Sequence, residues 1–323
     1  MRKLAFATVT CLLFFFLLEL GLRLIPLSPG IDVFDMFGLK LKLVRDDVAI
    51  WKLAAHKRVR YDRDGLVHFG NGSIKIVILT DSCGIANVWP WPEHYSNRLG
   101  SHFQVISAAT VGYSSEQARR VFERKILTRH NPNLVICTLG LNDMCHWKKM
   151  TDREMIEYYL DPPLLRTTWF LSTLKARLLP NRQINEDGYM PRVPVGQFTE
   201  NLQAILDSSH RVGAKVIIAT SPFIRDQEGS YSFYQEYMEV VRNVDKQSTF
   251  DLANIFPRLI ADFDAEQLFL KDGVHYSEVG SLVIAELYYA RTMHVLGMPY
   301  ENNSEIANAV AGAIDAVFTD FSP

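Results

Sequence analysis

Short apolar runs alternate with longer amphipathic stretches from residue 74 onward. The runs IKIVIL, FQVIS, NLVICTLG and AKVIIAT are rich in β-branched residues, which favours buried strands. Stretches with helical spacing separate them, such as SSEQARRVFERKILTRH and VGQFTENLQAILDSSHRVG. Strands that alternate with helices pair in parallel, and continuously apolar strands are buried on both faces. The pattern therefore predicts an α/β fold, a three-layer α/β/α sandwich around a parallel sheet.

The first 25 residues follow a different pattern. Residues 4–18 carry no charge, and Glu19 and Arg23 are the charged positions between there and residue 25. As a helix this stretch extends about 33 Å, enough to cross the hydrocarbon core of a membrane. We therefore expect a transmembrane anchor over residues 1–25.

A cleaved signal peptide is the alternative for this segment, because Arg2 and Lys3 precede the apolar run. No small-residue cleavage site follows the run, which favours the uncleaved anchor. Basic residues lie on both flanks, but the positions before the run favour a cytoplasmic N-terminus. We expect a membrane-anchored protein whose main domain lies outside the cytoplasm, in the periplasm or the extracellular space.

The remaining chain divides into three parts. Residues 26–72 are interpreted as a stalk or packing segment, residues 73–296 as the main domain, and residues 297–323 as a C-terminal packing helix and tail. Residues 144–195 form an insertion after a strand end, which is either a lid or a cover for the sheet. Its aromatic residues are Trp147, Tyr158, Tyr159, Trp169 and Phe170.

Composition excludes several classes of function. With 323 residues and a formal net charge of -2, the chain offers no general attraction to nucleic acid. The four cysteines show no paired spacing, and the nine histidines show no H-E-x-x-H or H-x-x-x-H spacing. We therefore expect no bound metal and no cofactor.

Polar residues follow several of the predicted strands. The first strand ends in TDSCG, which contains Asp81 and Ser82, and the next is followed by AATVGYSS, which contains Gly112. The third is followed by LGLNDM, which contains Asn142. In parallel sheets the carboxyl ends of the strands gather ligands at one edge. TDSCG alone is also compatible with an ordinary helix-capping turn.

Near the C-terminus, LKDGVHYSEVG places Asp272 three residues before His275. A serine hydroxyl needs a base to remove its proton, and an imidazole oriented by a carboxylate suits that task. The N–H groups of Ser82 and Gly112 and the side chain of Asn142 are candidate donors to an oxyanion. These residues together predict nucleophilic catalysis.

These four blocks resemble those of the SGNH, or GDSL-type, hydrolases. TDSCG matches the first block at Ser82, SAATVGYSS the second at Gly112, GLND the third at Asn142, and D-x-x-H the last at Asp272 and His275. The resemblance implies a flavodoxin-like strand order and a triad of Ser82, His275 and Asp272. Asp81 and Asp143 are expected to support the loops.

The chain departs from the family pattern at three positions. Thr80 replaces the glycine that usually precedes Asp-Ser, and Ser107 and Ala109 stand where Asn and Gly are frequent. Thr80 adds a side chain at a tight strand exit, so we expect it to affect substrate size and efficiency rather than the type of reaction.

Three further residues near the blocks have open roles. Cys83 and Cys145 follow strands that are neighbours in the family's strand order, so they are either two free thiols or a disulfide. Cys83 is also an alternative nucleophile, although Ser82 holds the matching position. His146 either contacts substrate or lies on a surface loop.

The resemblance implies a serine esterase that cleaves short acyl esters. O-acetyl groups on a cell-envelope or extracellular polysaccharide are the expected substrates. One alternative is a polysaccharide O-acetyltransferase that uses the same triad, and another is a catalytically silent fold that binds carbohydrate. A phosphatase centred on Asp81 would need a second acid at position 83, where the chain has Cys83.

Overall fold

The computed structural model describes residues 17, 34–36, 39–41, 43–53, 61–85, 90–148, 151–160, 190–222, 230–260 and 263–319. The expected anchor at residues 1–25 lies outside these ranges apart from Leu17, and so do residues 161–189 of the insertion. Within the described ranges, no helix combines the length and apolarity that a bilayer crossing requires.

Strands and helices alternate along most of the described chain. In chain order the strands are Phe34–Met36 (β1), Leu39–Leu41 (β2), Leu43–Asp46 (β3), Ile50–Leu53 (β4), Val67–Gly70 (β5), Ile74–Thr80 (β6), Phe103–Ser107 (β7), Leu134–Thr138 (β8), His146–Lys148 (β9), Met190–Pro191 (β10), Lys215–Ala219 (β11) and Thr249–Phe250 (β12). The helices are Trp91–Leu99 (α1), Ser115–Val121 (α2), Asp152–Leu160 (α3), Val195–Arg211 (α4), Ser230–Val244 (α5), Leu252–Ile260 (α6), Ala265–Leu268 (α7), Glu278–Leu296 (α8), Glu305–Ala309 (α9) and Ala311–Thr319 (α10). A 3-10 turn, Ser82–Gly84, follows β6, and a π-helical turn, Phe122–Ile126, continues α2.

The central sheet of the described chain has six strands in the order β12-β11-β8-β6-β7-β5. Its five parallel members, β6, β7, β8, β11 and β12, lie in the order 2-1-3-4-5 when they are counted along the chain. This is the flavodoxin-like order that the family resemblance implies.

The expectation of a purely parallel sheet is wrong at one edge, where β5 pairs antiparallel with β7. Only Asn71, Gly72 and Ser73 separate β5 from β6. A parallel connection needs a crossover of a dozen or more residues, so the chain can join these strands only by reversing direction. The sheet therefore begins before residue 73, inside the segment interpreted as a stalk.

Burial follows the pattern of continuous apolar strands. All five residues of β8 are buried, and Ile76, Val77, Ile78 and Leu79 of β6 have no exposed surface. Each such side chain contributes roughly 1.5–3 kcal/mol on burial. Helix α1 packs with α8, whereas α4 packs with α2 and α5. Right-handed crossovers from β6 to β7 and from β7 back across to β8 place α1 and α2 on opposite faces.

The described part of residues 26–72 adds two antiparallel hairpins, β1-β2 and β3-β4. Asp46 at the end of β3 fixes the second turn, because its Oδ1 accepts the N–H groups of Val48 and Ala49, each at 2.9 Å. Trp51 and Leu53 of β4 are buried in the main core. This hairpin is therefore part of the globular domain.

The insertion at residues 144–195 and the C-terminal tail each contain secondary structure that the sequence did not predict. The insertion begins and ends on a two-stranded antiparallel ladder of β9 and β10. The expected single tail helix is two helices, α9 and α10, because Val310 between them leaves the helical backbone with φ -109°. Val310 is 1% exposed, so the break turns its side chain into the core.

Candidate active site

The candidate nucleophile lies directly after the central strand β6. Asp81 caps the following 3-10 turn, because its Oδ1 accepts the N–H of Cys83 at 2.9 Å. Gly84 closes the turn against Thr80, and a Cβ at position 84 would lie 2.2 Å from Thr80 Cγ2. The bulk that Thr80 adds at the strand exit is thus accommodated by a glycine four residues later.

Ser82, His275 and Asp272 form a continuous hydrogen-bonded chain. Ser82 Oγ lies 2.9 Å from His275 Nε2, and His275 Nδ1 lies 2.6 Å from Asp272 Oδ2. An ionised carboxylate can only accept, so the proton on the ring lies on Nδ1. The lone pair of Nε2 then faces the serine hydroxyl, which is the tautomer that a general base requires.

The Asp272 carboxylate is held in its ionised form. Burial acts to raise its pKa, but the hydrogen bonds from the His275 ring and from two backbone N–H groups together lower the pKa below the ordinary value. The backbone N–H groups of Val274 and His275 add donors to Asp272 Oδ1 at 2.9 and 3.0 Å. The acid is therefore charged and fixed when it accepts the hydrogen bond from the His275 Nδ1–H.

The loop that carries His275 is closed by backbone contacts. Leu270 donates its N–H to the carbonyl of His275 at 2.7 Å, and Phe269 forms an antiparallel bridge with Tyr276. Helix α8 begins directly afterward, where Ser277 Oγ accepts the N–H of Gly280 at 3.0 Å. His275 is 8% exposed and Ser82 is 7% exposed, so both sit at a largely buried edge.

Two backbone N–H groups at this edge are available to a ligand. Those of Ser82 and Gly112 have no acceptor among the described residues. Gly112 has φ +69°, in the left-handed region that disfavours any side chain. The backbone geometry thus explains why the second block has glycine at this position.

The Asn142 carboxamide is oriented by Asp81. Its Nδ2 donates to Asp81 Oδ2 at 3.2 Å, which leaves the second N–H of the amide for another acceptor. Burial raises the pKa of Asp81, and the Cys83 N–H opposes this. Asp81 therefore connects the turn after β6 to the loop after β8.

Asp143 supports the neighbouring loop. Its carboxylate accepts the N–H of Ser115 at 2.9 Å and also contacts the Ser115 hydroxyl. Burial raises the pKa of Asp143 to about 7, against the lowering effect of the Ser115 hydrogen bonds. Asp143 is thus joined to the first turn of α2, which follows the Gly112 loop.

Two residues that the sequence did not single out hold the carbonyls of the Gly112 loop. Trp51 Nε1 donates to the carbonyl of Val111 at 3.1 Å, and Arg192 Nη1 donates to the carbonyl of Gly112 at 2.7 Å. Arg192 is paired with Asp152 at 2.6 Å, and both side chains are almost fully buried. A tryptophan in a strand and an isolated Arg–Asp pair carry no motif, so only the buried contacts identify them.

The cysteines do not form the disulfide that was one alternative. Cys83, Cys137 and Cys145 are free thiols. Cys83 Sγ faces the carbonyl of Val274 at 3.8 Å, whereas Cys145 Sγ faces the carbonyl of Leu141 at 3.3 Å. Burial, with the nearby charge of Asp81, raises the pKa of Cys83 well above its ordinary value, which argues against a thiolate nucleophile.

The remaining residues of the insertion that were considered lie largely outside the described side chains. Residues 161–189, with Trp169 and Phe170, are not among the described residues, and the side chains of His146, Trp147, Tyr158 and Tyr159 are not described either. Lid and substrate-contact roles for these residues stay predictions.

Comparison with known proteins defines the class of this chain. A model of the GDSL-like lipase/acylhydrolase family matches residues 79–282, which include every block described above. The chain belongs to this family and is an ester hydrolase. No curated protein sequence matches it.

Solved structures similar to this chain include three esterases or lipases. They are the acetyl xylan esterase AlAXEase (16% identity, TM-score 0.46, covering 66% of this chain and 96% of that chain), a lipase/acylhydrolase from Enterococcus faecalis (19%, 0.44, 68% and 95%) and the acetylxylan esterase Axe2 from Geobacillus stearothermophilus (15%, 0.46, 71% and 96%).

Proposed function

We propose that this ester hydrolase acts through an acyl-enzyme on Ser82, with His275 as general base and acid and Asp272 as the orienting carboxylate. The observation that carries the proposal is the hydrogen-bonded chain from Ser82 Oγ through both ring nitrogens of His275 to Asp272. A buried serine in an ordinary capping turn would not need a histidine and a carboxylate aligned behind it.

In the proposed reaction, Ser82 Oγ bonds to the ester carbonyl carbon while its proton moves to His275 Nε2. The carbonyl oxygen becomes an oxyanion, which the N–H groups of Ser82 and Gly112 and the free N–H of Asn142 stabilise. Collapse breaks the bond to the alcohol oxygen, which takes the proton from Nε2. Water then gives a proton to Nε2 and attacks the acyl carbon, and Ser82 regains its proton when the acid leaves.

The proposed substrates are short acyl esters, with O-acetyl groups on an envelope or extracellular polysaccharide as the specific candidates. The family resemblance supports the short acyl chain. The apolar stretch at residues 1–25 supports a tether to the membrane with the catalytic domain outside the cytoplasm, where such polysaccharides lie.

Labelling of the full-length protein with a fluorophosphonate probe tests the nucleophile. We expect stoichiometric labelling that Ser82→Ala abolishes and that the matched surface variant Ser101→Ala retains. Hydrolysis of p-nitrophenyl acetate should fall by at least about 10³-fold in Ser82→Ala, toward the activity that binding and the oxyanion donors alone support.

Equal labelling of the wild type and Ser82→Ala would remove the basis of the proposal. An absence of labelling in both would instead favour the silent carbohydrate-binding fold. Product analysis with an acetylated donor and an added glycan separates the two acceptors, because a hydrolase releases acetate whereas a transferase forms an acetylated glycan.

A further inference from the structure

Three side chains with metal-ligating atoms converge on the antiparallel edge of the sheet. Asp62 lies before β5, His68 lies on β5, and His130 lies between the π-helical turn and β8. One potential ligand atom from each residue lies within 4.8 Å of the other two. None of these residues contacts the Ser82–His275–Asp272 chain, so this set is separate from the candidate active site.

The carboxylate of this set is fixed before any ligand arrives. Asp62 Oδ1 accepts the N–H groups of Asp64 and Leu66 at 2.8 and 2.9 Å, so the turn into β5 locks the carboxylate. The other oxygen, Oδ2, is hydrogen-bonded to His68 Nε2 at 3.0 Å, so a metal ion bound by both atoms would replace the proton between them. Two ligands of one tetrahedral Zn²⁺ ion lie about 3.3 Å apart, close to this separation.

The second imidazole approaches from a distant part of the chain. The ring of His130 lies 5.5 Å from that of His68 between centroids, with 53° between the planes. The two rings are therefore close enough for one ion to bind a nitrogen of each.

We propose that Asp62 Oδ2, His68 and His130 bind one Zn²⁺ ion, with water completing the coordination. Two imidazoles and one carboxylate are a ligand set that suits Zn²⁺, and no thiolate or third histidine is needed. The bound ion links the edge strand β5 to the segment that leads into β8. It therefore clamps the open edge of the sheet without taking part in ester cleavage.

Zinc titration of the metal-free full-length protein at pH 7.5, followed by calorimetry, tests the site. We expect one ion per chain, and a fall in affinity of more than about 100-fold in His68→Gln or His130→Gln, since even outer partners of a metal ligand cost 10–100-fold. His210→Gln, an exposed histidine on α4, is the matched control and should bind as the wild type does.

Ser82→Ala should retain the zinc site while it loses hydrolysis, which separates this proposal from the proposed function. Loss of folding in His130→Gln, read by circular dichroism, leaves the exposed His68→Gln as the deciding variant. A protein that binds no Zn²⁺ at 100 μM, or that binds it equally in the wild type and His68→Gln, would overturn the assignment.

Discussion

The two halves of the candidate site are held in different ways. The half that carries Ser82 and His275 is fixed by neighbours in sequence, because Asp81 caps the turn two residues on and Asp272 lies three residues from its histidine. The Gly112 half is fixed from far away, since the donors to the carbonyls of Val111 and Gly112 lie 60 and 80 positions distant. The proposed proton-transfer residues are therefore held by local contacts, whereas the proposed donor Gly112 depends on residues that are distant in sequence.

The distant support has a physical cost that the local support lacks. Arg192 and Asp152 are both taken out of water, and their attraction must offset that desolvation. Arg192 also donates to Gln117 Oε1 at 3.0 Å, so one guanidinium joins the insertion, the Gly112 loop and α2. Hydrogen bonds between the two side chains stabilise the buried ion pair. Removal of one partner should destabilise the protein, because it leaves the other charge buried without a counter-charge.

The largest expected effect lies in the local half. Asp272→Asn should lower kcat by about 10⁴-fold while the fold stays intact, because the amide favours the wrong tautomer of His275. Initial rates on p-nitrophenyl acetate measure it. Asp207→Asn, an exposed acid on α4, is the control and should leave the rate unchanged. A loss below tenfold would mean that His275 is oriented by other contacts.

The next effect lies in the distant half. Asp152→Asn leaves the Arg192 charge buried without its partner, so the free energy of unfolding should fall by about 3–5 kcal/mol. Urea unfolding followed by circular dichroism measures this loss. The double variant Asp152→Leu, Arg192→Met should regain much of the stability. A single variant as stable as the wild type would show that the pair is not buried in solution.

The strand exit gives a smaller effect in the local half. Gly84→Ala should destabilise the protein by about 1–3 kcal/mol, since the new methyl group overlaps Thr80 Cγ2. Thr80→Ser removes that methyl group, so the double variant should be more stable than Gly84→Ala alone. Thermal unfolding of the four proteins in this cycle measures the coupling. Additive effects would rule out the direct contact.

The smallest effect isolates one contact to the Gly112 loop. Trp51→Phe keeps an aromatic ring but removes the donor to the Val111 carbonyl, a net contribution of about 1 kcal/mol. We expect kcat to fall roughly fivefold with little change in KM, because the loop is positioned for the transition state. Tyr300→Phe, which loses a bond to Glu286 elsewhere, is the control. A change confined to KM would contradict a positioning role.

The periodicity of apolar residues predicted the alternating strands and helices of the central domain. Continuous apolar runs identified four of the five parallel strands, all except the two-residue β12. Because parallel strands end at the same edge of a sheet, this prediction brought Ser82 and Asn142 together although they are distant in sequence. The contact of His275 with Ser82 followed from chemistry and family resemblance rather than from spacing. The catalytic roles of these residues stay predictions until the variants are measured.

The parts that periodicity missed are single long-range contacts. Neither the indole of Trp51 nor the guanidinium of Arg192 belongs to a pattern, because each contacts a backbone carbonyl that is distant in sequence. The reversed strand β5 was missed for a related reason, since its four residues are too few to show a period. Asp62, His68 and His130 escaped a search for metal-ligand spacing because they meet only after folding.

The short ladder of β9 and β10 has a consequence for variation in this chain. Beyond the ladder, Arg192 donates its N–H to the carbonyl of Cys145 at 3.0 Å and Val193 donates to that of Asp143 at 3.1 Å. These two hydrogen bonds join the chain just before residues 149–189 to the chain just after them. Insertions or deletions within residues 161–189 would therefore leave these bonds and the Arg192–Asp152 pair in place.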